Sequence, residues 1–297
     1  MTEHVSVLTT EVVQQLRPES GGVFVDCTVG LGGHASALLA AGAGRLIGLD
    51  RDRDALDRAA QTLAPWLDRV DLVHADFRAF QPVLDGLGVS LLDGALADLG
   101  VSSLQLEAPG RGFSFQRDEP LDMRMDRTEG DTAADLIAKA SERELADTIF
   151  RYGEERYSRR IARAIVRARS DAPIETTGRL ATIVRRVVPG RHRMRIDPAT
   201  RTFQALRIWV NRELEGLDDF LRAMSRRLRL GARLVVISFH SLEDRIVKHA
   251  FRALERSDVL CKVLTKKPIV PSREELERNP RARSAKLRVA ERVAGPI

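Results

Sequence analysis

Residues 22–50 read GVFVDCTVGLGGHASALLAAGAGRLIGLD, and this stretch decides the fold. An apolar run ends in an acid at Asp26, a glycine-rich turn occupies residues 30–33, and a second apolar run ends in an acid at Asp50. A glycine turn between a strand and a helix lets a ligand approach the backbone at the positive end of the helix. An acid at the end of the next strand can accept hydrogen bonds from a ribose diol. The stretch therefore predicts a nucleoside-bearing cofactor.

Apolar runs of this kind recur along the chain, and five of them predict strands at residues 23–26, 46–50, 70–75, 91–99 and 233–239. Helical segments separate them, which indicates a parallel α/β sheet with right-handed crossovers. Two shorter β-like segments close the chain around residues 260–264 and 284–293. The second alternates in polarity, as an antiparallel or edge strand does.

Strand-like runs are scarce between about residues 109 and 212, where helical periodicity predicts an inserted helical region. We therefore expect a discontinuous core, 1–108 and 213–297, and a helical insert, 109–212, for substrate recognition. Two local expectations can be checked directly. Thr9 or Thr10 is predicted to cap the first helix, and residues 198–221 are predicted to form one long or kinked helix.

Composition bounds the class of protein. The chain has 297 residues, 43% of them hydrophobic and 30% charged, which is typical of a soluble globular protein. The sequence shows neither a bilayer-spanning apolar run nor a signal peptide, so we expect a cytoplasmic protein without a membrane partner. Cys27 and Cys261 are the only cysteines, which gives no disulfide framework and no zinc spacing, and we expect no metal. Monomer and homodimer both remain open.

Arginine is clustered in this chain, whose formal net charge is +6. Clustered arginine is the electrostatic footprint of proteins that bind phosphate backbones. The alternative is that these side chains form solvated helix faces. We predict RNA contacts for one short stretch of the insert, which contains Arg185, Arg186, Arg191, Arg193 and Arg195.

Residues 30–35 match the pattern G-x-G-x-x-A, which suits two cofactors. An NAD-type dehydrogenase would use the turn and Asp50 equally well. However, dinucleotide sites hold two phosphates at this turn, where an acid such as Asp26 would repel them. S-adenosylmethionine carries an amino group and a positive sulfur without phosphate, so acids beside the turn attract it. This contrast favours a methyltransferase.

The fourth predicted strand also ends in an acid, Asp98, and ligands of open parallel sheets bind outside the carboxyl ends of the strands. We expect Asp98 to lie near the reactive methyl group. For Asp76, after the third strand, a structural role as a helix cap or a loop acid is the favoured interpretation. Phe77 is predicted to pack on an adenine, with a core position as the alternative.

His240 follows the fifth strand, where it could orient a substrate or cap the next helix. A Ser/His/Asp hydrolase is disfavoured because the sequence has no G-x-S-x-G elbow.

Several longer motifs now identify a resemblance: VDCTVGLGGHA, GLDRD, LADLGVSSLQL, PLDMRMD, TRTFQALRIWVN, FHSLEDR and NPRARS. Together with their flanking residues they resemble the MraW family of 16S rRNA methyltransferases over nearly the whole chain. The resemblance implies a class I (Rossmann-like) methyltransferase with a helical insertion and S-adenosylmethionine as methyl donor. The implied acceptor is N4 of a cytidine in the decoding region of 16S rRNA, within the small ribosomal subunit.

The resemblance also implies which residues hold the cofactor: Gly32, Gly33, His34, Asp50, Phe77, Asp98 and Gln105. From the residues alone we add Asp26 and Gly30, and we predict catalytic roles for Asp98 and, in substrate orientation, for His240. Two other functions stay open at this point, namely an NAD-type oxidoreductase and a non-catalytic RNA-binding protein on a methyltransferase scaffold.

Overall fold

A computed structural model describes residues 6–189, 196–256 and 259–294 of the chain, which divides into two compact units. The first unit comprises Met1–Gly100 and Leu214–Ile297, and the second comprises Val101–Glu213. Residues 101–108, expected in the core, therefore belong to the second unit. The physical reason is that Val101 and Leu106 pack against the hydrophobic core of the second unit.

The first unit is built on a seven-stranded sheet in the order β3-β2-β1-β4-β5-β7-β6. Its strands are β1 Val23–Asp26, β2 Arg45–Asp50, β3 Val70–His74, β4 Leu92–Asp98, β5 Leu228–Ser238, β6 Cys261–Val263 and β7 Lys286–Arg292. The first five run parallel, while β7 is antiparallel to both β5 and β6. The antiparallel direction of the last strand is confirmed. Its alternative interpretation as an edge strand is wrong, because β6 pairs with its outer side.

Helices cover both faces of this sheet. They are α1 Thr9–Leu16, α2 Gly33–Ala40, α3 Arg53–Thr62, α4 Phe80–Gly86, α11 Leu217–Arg226, α12 Ser241–Arg256 and α13 Arg273–Arg278. Alternate residues of each strand point to opposite faces, so Phe24 packs with α1, α2 and α3, whereas Val25 packs with α4, α11 and α12. The first unit is thus a three-layer α/β sandwich whose five parallel strands, β1 to β5, end at one edge of the sheet.

The second unit is helical, as the periodicity predicted. Its helices are α5 Ser103–Glu107, α6 Ala133–Lys139, α7 Glu142–Gly153, α8 Ser158–Asp171, α9 Thr177–Val187 and α10 Ala199–Asn211. Asn211, which is buried, ties the irregular segment before α6 to α10. Its side-chain oxygen accepts from the N–H of Met125 at 2.8 Å, and its amide donates to the carbonyls of Met123 at 2.8 Å and Arg207 at 2.9 Å. These bonds hold Met123 in the left-handed region at φ 64°.

Two local predictions are corrected. The residue before α1 is Leu8, at φ 55°, and no side chain caps the helix; the hydroxyl of Thr9 instead donates to the Ser6 carbonyl at 2.9 Å. The predicted helix 198–221 is two helices, because Arg212 adopts φ 51° after Asn211 and ends α10. Among the described residues, no helix combines the length and apolarity needed to cross a membrane.

Candidate functional site

Three acids gather at the carboxyl rim, the edge of the first unit's sheet where β1, β2 and β4 end. Strand β1 lies between β2 and β4, and Asp26 is in register with Gly48 on one side and Leu96 on the other. Asp50 and Asp98 each lie two residues beyond those partners. Asp26 therefore forms the floor of the rim, and Asp50 and Asp98 form its walls.

The glycine turn is hydrogen-bonded to one of these walls. The N–H of Gly30 donates to Oδ2 of Asp50 at 2.8 Å, and the N–H of Asp52 donates to Oδ1 of Asp50 at 2.9 Å. Gly32 stands at φ 83° directly before α2, a conformation that a residue with a Cβ atom rarely adopts. Burial raises the pKa of Asp50 to about 6, although the two N–H donors oppose the increase. Each Asp50 oxygen retains a lone pair for a further donor.

Asp26 is fully buried, and only one of its oxygens is engaged. The N–H of Thr28 donates to Oδ1 at 3.1 Å, whereas Oδ2 has no hydrogen-bond partner among the described residues. Burial raises the pKa of Asp26 to about 7, with attraction to His34 working in the opposite direction. A buried carboxyl oxygen without a donor is costly unless a ligand supplies one. The floor of the rim is therefore suited to a cationic or hydrogen-donating group.

His34, in the first turn of α2, lies beside Asp98, the second wall of the rim. Its Nε2 lies 3.4 Å from Oδ2 of Asp98, and the ring is almost fully buried. Burial lowers the pKa of His34, but the hydrogen bond and charge of Asp98 and the charge of Asp26 outweigh it, so the pKa is raised. The backbone N–H of Asp98 is fixed by the Thr28 hydroxyl at 2.7 Å. A protonated His34 would thus pair with Asp98 and be attracted by the charge of Asp26, while Oδ1 of Asp98 keeps no donor among the described residues.

The residues after β3 divide between capping and packing. Asp76 caps the short 3₁₀ turn Phe77–Ala79 and forms an ion pair with Arg78 at 2.6 Å, as the favoured interpretation of this acid predicted. Burial alone would raise its pKa, but the bonds from Arg78 lower it overall. Phe77 is half-buried, with its ring 4.7 Å from that of Phe220 and the Arg78 guanidinium 5.5 Å from its centroid. The adenine contact of Phe77 stays a prediction.

His240 caps the N-terminus of α12. The side chain of Glu243, 2% exposed, accepts the backbone N–H groups of Phe239 at 2.8 Å and His240 at 3.3 Å. In return, Nδ1 of His240 accepts the N–H of Glu243 at 3.4 Å, and its Nε2 lies 3.2 Å from Oε1 of Glu243. This is the reciprocal pattern of a capping box, with His at the cap. The role of His240 in substrate orientation stays a prediction.

The remaining predicted site residues belong to the second unit. Gln105 completes a capping box with Ser102, and its role with the cofactor stays a prediction. Arg185 pairs with Asp197 at 2.8 Å and lies 5.4 Å from the ring centroid of Phe115, so its guanidinium already has internal partners. Arg186 is exposed. The other three predicted RNA contacts, Arg191, Arg193 and Arg195, lie outside the described residues.

Sequence reasoning missed the segment that covers the glycine turn. A Cβ atom on Gly33 would lie 2.1 Å from Oγ of Ser6, so the backbone of the turn and the N-terminal segment touch. The next residues of that segment are anchored from the far end of the chain, because Oε1 of Glu275 accepts the N–H of Leu8 at 2.7 Å. Glu275 also adds to the negative charge that raises the pKa of His34. Leu8 and Glu275 are separated by 267 positions along the chain, and a contact over such a distance leaves no local pattern in the sequence.

The sequence profile described as the MraW methylase family matches residues 1–293. The chain belongs to the MraW methylase family. It is therefore an S-adenosylmethionine-dependent methyltransferase, as the resemblance implied.

Curated relatives of this family match the chain over nearly its full length. A protein of Deinococcus radiodurans is 54% identical, with 99% of this chain and 91% of the relative covered. One from Sorangium cellulosum is 53% identical, covering 99% and 92%, and one from Geotalea uraniireducens is 50% identical, covering 98% of each. All three are named ribosomal RNA small subunit methyltransferase H.

The chain also aligns with solved structures. An rRNA methylase from Streptococcus thermophilus aligns with a TM-score of 0.43 and 11% identity, over 96% of this chain and 94% of that one. An O-methyltransferase from Thermotoga maritima aligns with a TM-score of 0.45 and 11% identity, over 100% and 70%. The assignment to the MraW family comes from the sequence matches.

The carboxyl rim fits the methyl donor of the family. Asp26 offers an oxygen with no donor among the described residues, and Oδ1 of Asp98 is in the same state. Asp50 can accept hydroxyl donors through its remaining lone pairs. Residues 26–44, which include the glycine turn, contain no Lys or Arg that could pair with phosphates. The site suits a positive, phosphate-free ligand.

Proposed function

We propose that this chain transfers a methyl group from S-adenosylmethionine to N4 of a cytidine in the decoding region of 16S rRNA, within the small ribosomal subunit. The observation that carries the proposal is the carboxyl rim, where three acids surround a glycine turn without a Lys or Arg. The names of the curated relatives, which share about half of their residues with this chain, support the ribosomal substrate.

The residues that would hold the donor divide by chemistry. Asp50 accepts the ribose hydroxyls, and the unpartnered oxygen of Asp26 accepts the ammonium group. Gly30, Gly32 and Gly33 leave the backbone of the turn open to close approach. When bound, the donor supplies an electrophilic methyl group on a sulfonium.

Asp98 carries the chemistry at the acceptor. The lone pair of cytosine N4 is delocalised into the ring, which makes it a weak nucleophile, so the site must hold N4 in line with the methyl group and exclude water. The amine becomes acidic as the new bond forms, and no strong base is needed beforehand. The partly buried carboxylate of Asp98 accepts a hydrogen bond from N4 and then its proton, while His34 at 3.4 Å fixes the carboxylate.

The substrate RNA is bound by the helical second unit, with the arginines of residues 185–195 as phosphate contacts. Reactions on a base require that it is unstacked or flipped out. Replacing Arg191, Arg193 and Arg195 with Ala should weaken RNA binding and flatten its salt dependence, since fewer counterions are released. We place the reaction in the cytoplasm, where ribosomal subunits are found.

The test is transfer of tritiated methyl groups into small ribosomal subunits that lack the modification, followed by nuclease mapping of the labelled nucleotide. We expect N4-methylcytidine in the decoding region. Label at another base would refute the acceptor, and complete absence of transfer from an S-adenosylmethionine-bound protein would favour the non-catalytic RNA-binding alternative.

A further inference from the structure

One aromatic ring of the second unit is exposed where packing does not require it. Phe150, on α7, is 61% exposed, and it is the only exposed one of the Phe, Tyr and Trp residues, all of which lie in the described parts of the chain. A ring of this size in water forgoes the free energy that burial provides. Exposed single aromatics of this kind are common where proteins stack on nucleobases.

The surroundings of Phe150 are basic. A cavity of about 400 Å³ lies beside the ring, between the end of α7 and the start of α8, and Arg156, Arg159 and Arg160 contribute to its walls. Within the described ranges, none of these three guanidinium groups has a carboxylate partner. The single acid of the lining, Asp147, lies 3.9 Å from Arg143. The cavity therefore carries net positive charge next to an exposed ring.

Two of these arginines stand at positions that local helix energetics disfavour. Arg159 and Arg160 occupy the first turn of α8, where the helix macrodipole already places positive charge. Arg156 is held in place by stacking, with its guanidinium carbon 4.6 Å from the ring centroid of Tyr157. A bound anion would offset the repulsion, and local rules are usually broken at functional positions.

We propose that this α7–α8 corner, formed by Phe150, Arg156, Tyr157, Arg159 and Arg160, binds single-stranded RNA by stacking a base on Phe150 and pairing phosphates with the arginines. The assignment rests on the proposed RNA substrate and adds a contact site distinct from residues 185–195. The positive charge around Phe150 favours RNA over a protein as the ligand of this corner. A stable protein interface needs an apolar centre of several residues, whereas here a single ring is surrounded by cations, as on proteins that bind single strands.

The experiment measures binding of the full chain to a fluorescein-labelled single-stranded RNA of the decoding-region sequence, by anisotropy. Phe150→Ala should weaken binding roughly 5- to 150-fold, the range for loss of one base stack. Inorganic polyphosphate has no bases, so its dissociation constant, measured by competition, should be the same in this variant as in the wild type. Phe150→Trp should retain affinity, and its extra indole emission should be quenched by RNA. Leu230→Ala, at a site 70% exposed in the first unit, is the matched control and should bind as wild type.

The arginines are tested separately. Arg156→Ala/Arg159→Ala/Arg160→Ala should weaken binding of both RNA and polyphosphate, and should reduce the salt slope by about 0.7 for each phosphate that the variant no longer neutralises. Circular dichroism establishes that each variant is folded.

The proposal is overturned if Phe150→Ala binds RNA as tightly as Leu230→Ala, or if the wild type does not bind the oligonucleotide. It is also overturned if sedimentation shows a wild-type dimer that Phe150→Ala converts to a monomer, since the corner would then bind a second copy. Methyl transfer into small subunits by the wild type distinguishes failure of this inference from failure of the proposed function. Transfer with unchanged RNA binding in Phe150→Ala refutes only the corner, whereas absent transfer refutes the proposed function.

Discussion

Replacing Asp26 with Asn should stabilise the ligand-free protein at alkaline pH and lower its affinity for the methyl donor. Burial raises the pKa of this carboxyl from 3.8 to about 7. Because the folded-state pKa exceeds the unfolded one, the folded state binds the proton more tightly, and its stability falls as pH rises between those two values. The values differ by about 3, and one pKa unit corresponds to about 1.4 kcal/mol, so the ionised group costs about 4 kcal/mol well above pH 7.

The free-energy cost of the ionised Asp26 carboxyl depends on pH. At pH 5 the same linkage relation gives a cost of about 2 kcal/mol, and at pH 8 about 4 kcal/mol. Between pH 5 and pH 8 the free energy of unfolding, measured with urea, should therefore fall by about 2–3 kcal/mol more in the wild type than in Asp26→Asn. The variant keeps the acceptor for the Thr28 N–H and replaces Oδ2, which has no donor among the described residues.

Asp57→Asn, an exposed site on α3, provides the control and should follow the wild-type pH profile. In titration calorimetry Asp26→Asn should bind S-adenosylmethionine at least about tenfold more weakly, because a charge-assisted hydrogen bond is removed. If the free energy of unfolding changed with pH identically in Asp26→Asn and in the wild type, the conclusion that burial raises the pKa of Asp26 would be refuted.

Three further predictions concern single contacts. Gly33→Ala should weaken donor binding, since its Cβ would lie 2.1 Å from Oγ of Ser6, and adding Ser6→Ala should restore affinity by removing that atom; failure of the double variant to recover would contradict the close contact. Asn211→Ala should lower the free energy of unfolding by about 2–4 kcal/mol in urea denaturation, because the buried N–H of Met125 and the buried carbonyl of Met123 lose their side-chain partner, and the part-buried carbonyl of Arg207 loses a donor; a change under about 0.5 kcal/mol, the usual size on an exposed surface, would argue against this. Asp98→Asn should fold normally but reduce single-turnover methyl transfer by roughly 10²- to 10⁴-fold, and normal rates would exclude Asp98 from the chemistry.

The sequence predicted those features that depend on neighbours along the chain. Apolar runs closed by Asp26, Asp50 and Asp98 located the strand ends, because buried parallel strands are continuously apolar and their polar residues begin where the sheet ends. A cap was one of the two structural roles predicted for Asp76, and it could be predicted because the N–H partner of this acid is only two residues away.

What could not be predicted depends on distant contacts or on unusual backbone. The anchoring of Leu8 by Glu275 joins the two ends of the chain, and the pairing of β6 outside β7 is equally invisible to local patterns. The end of α10 was missed because Arg212 takes a positive φ that only glycine signals in a sequence. The cap that the sequence offered as the alternative role of His240 is confirmed, and its partner Glu243 lies only three residues away.

The central claim is that the carboxyl rim binds a cationic, phosphate-free donor, and calorimetry of the purified chain with S-adenosylmethionine and with NAD tests it most directly. We predict one site for S-adenosylmethionine and no detectable heat with NAD. Tight binding of NAD with no response to S-adenosylmethionine would contradict the claim.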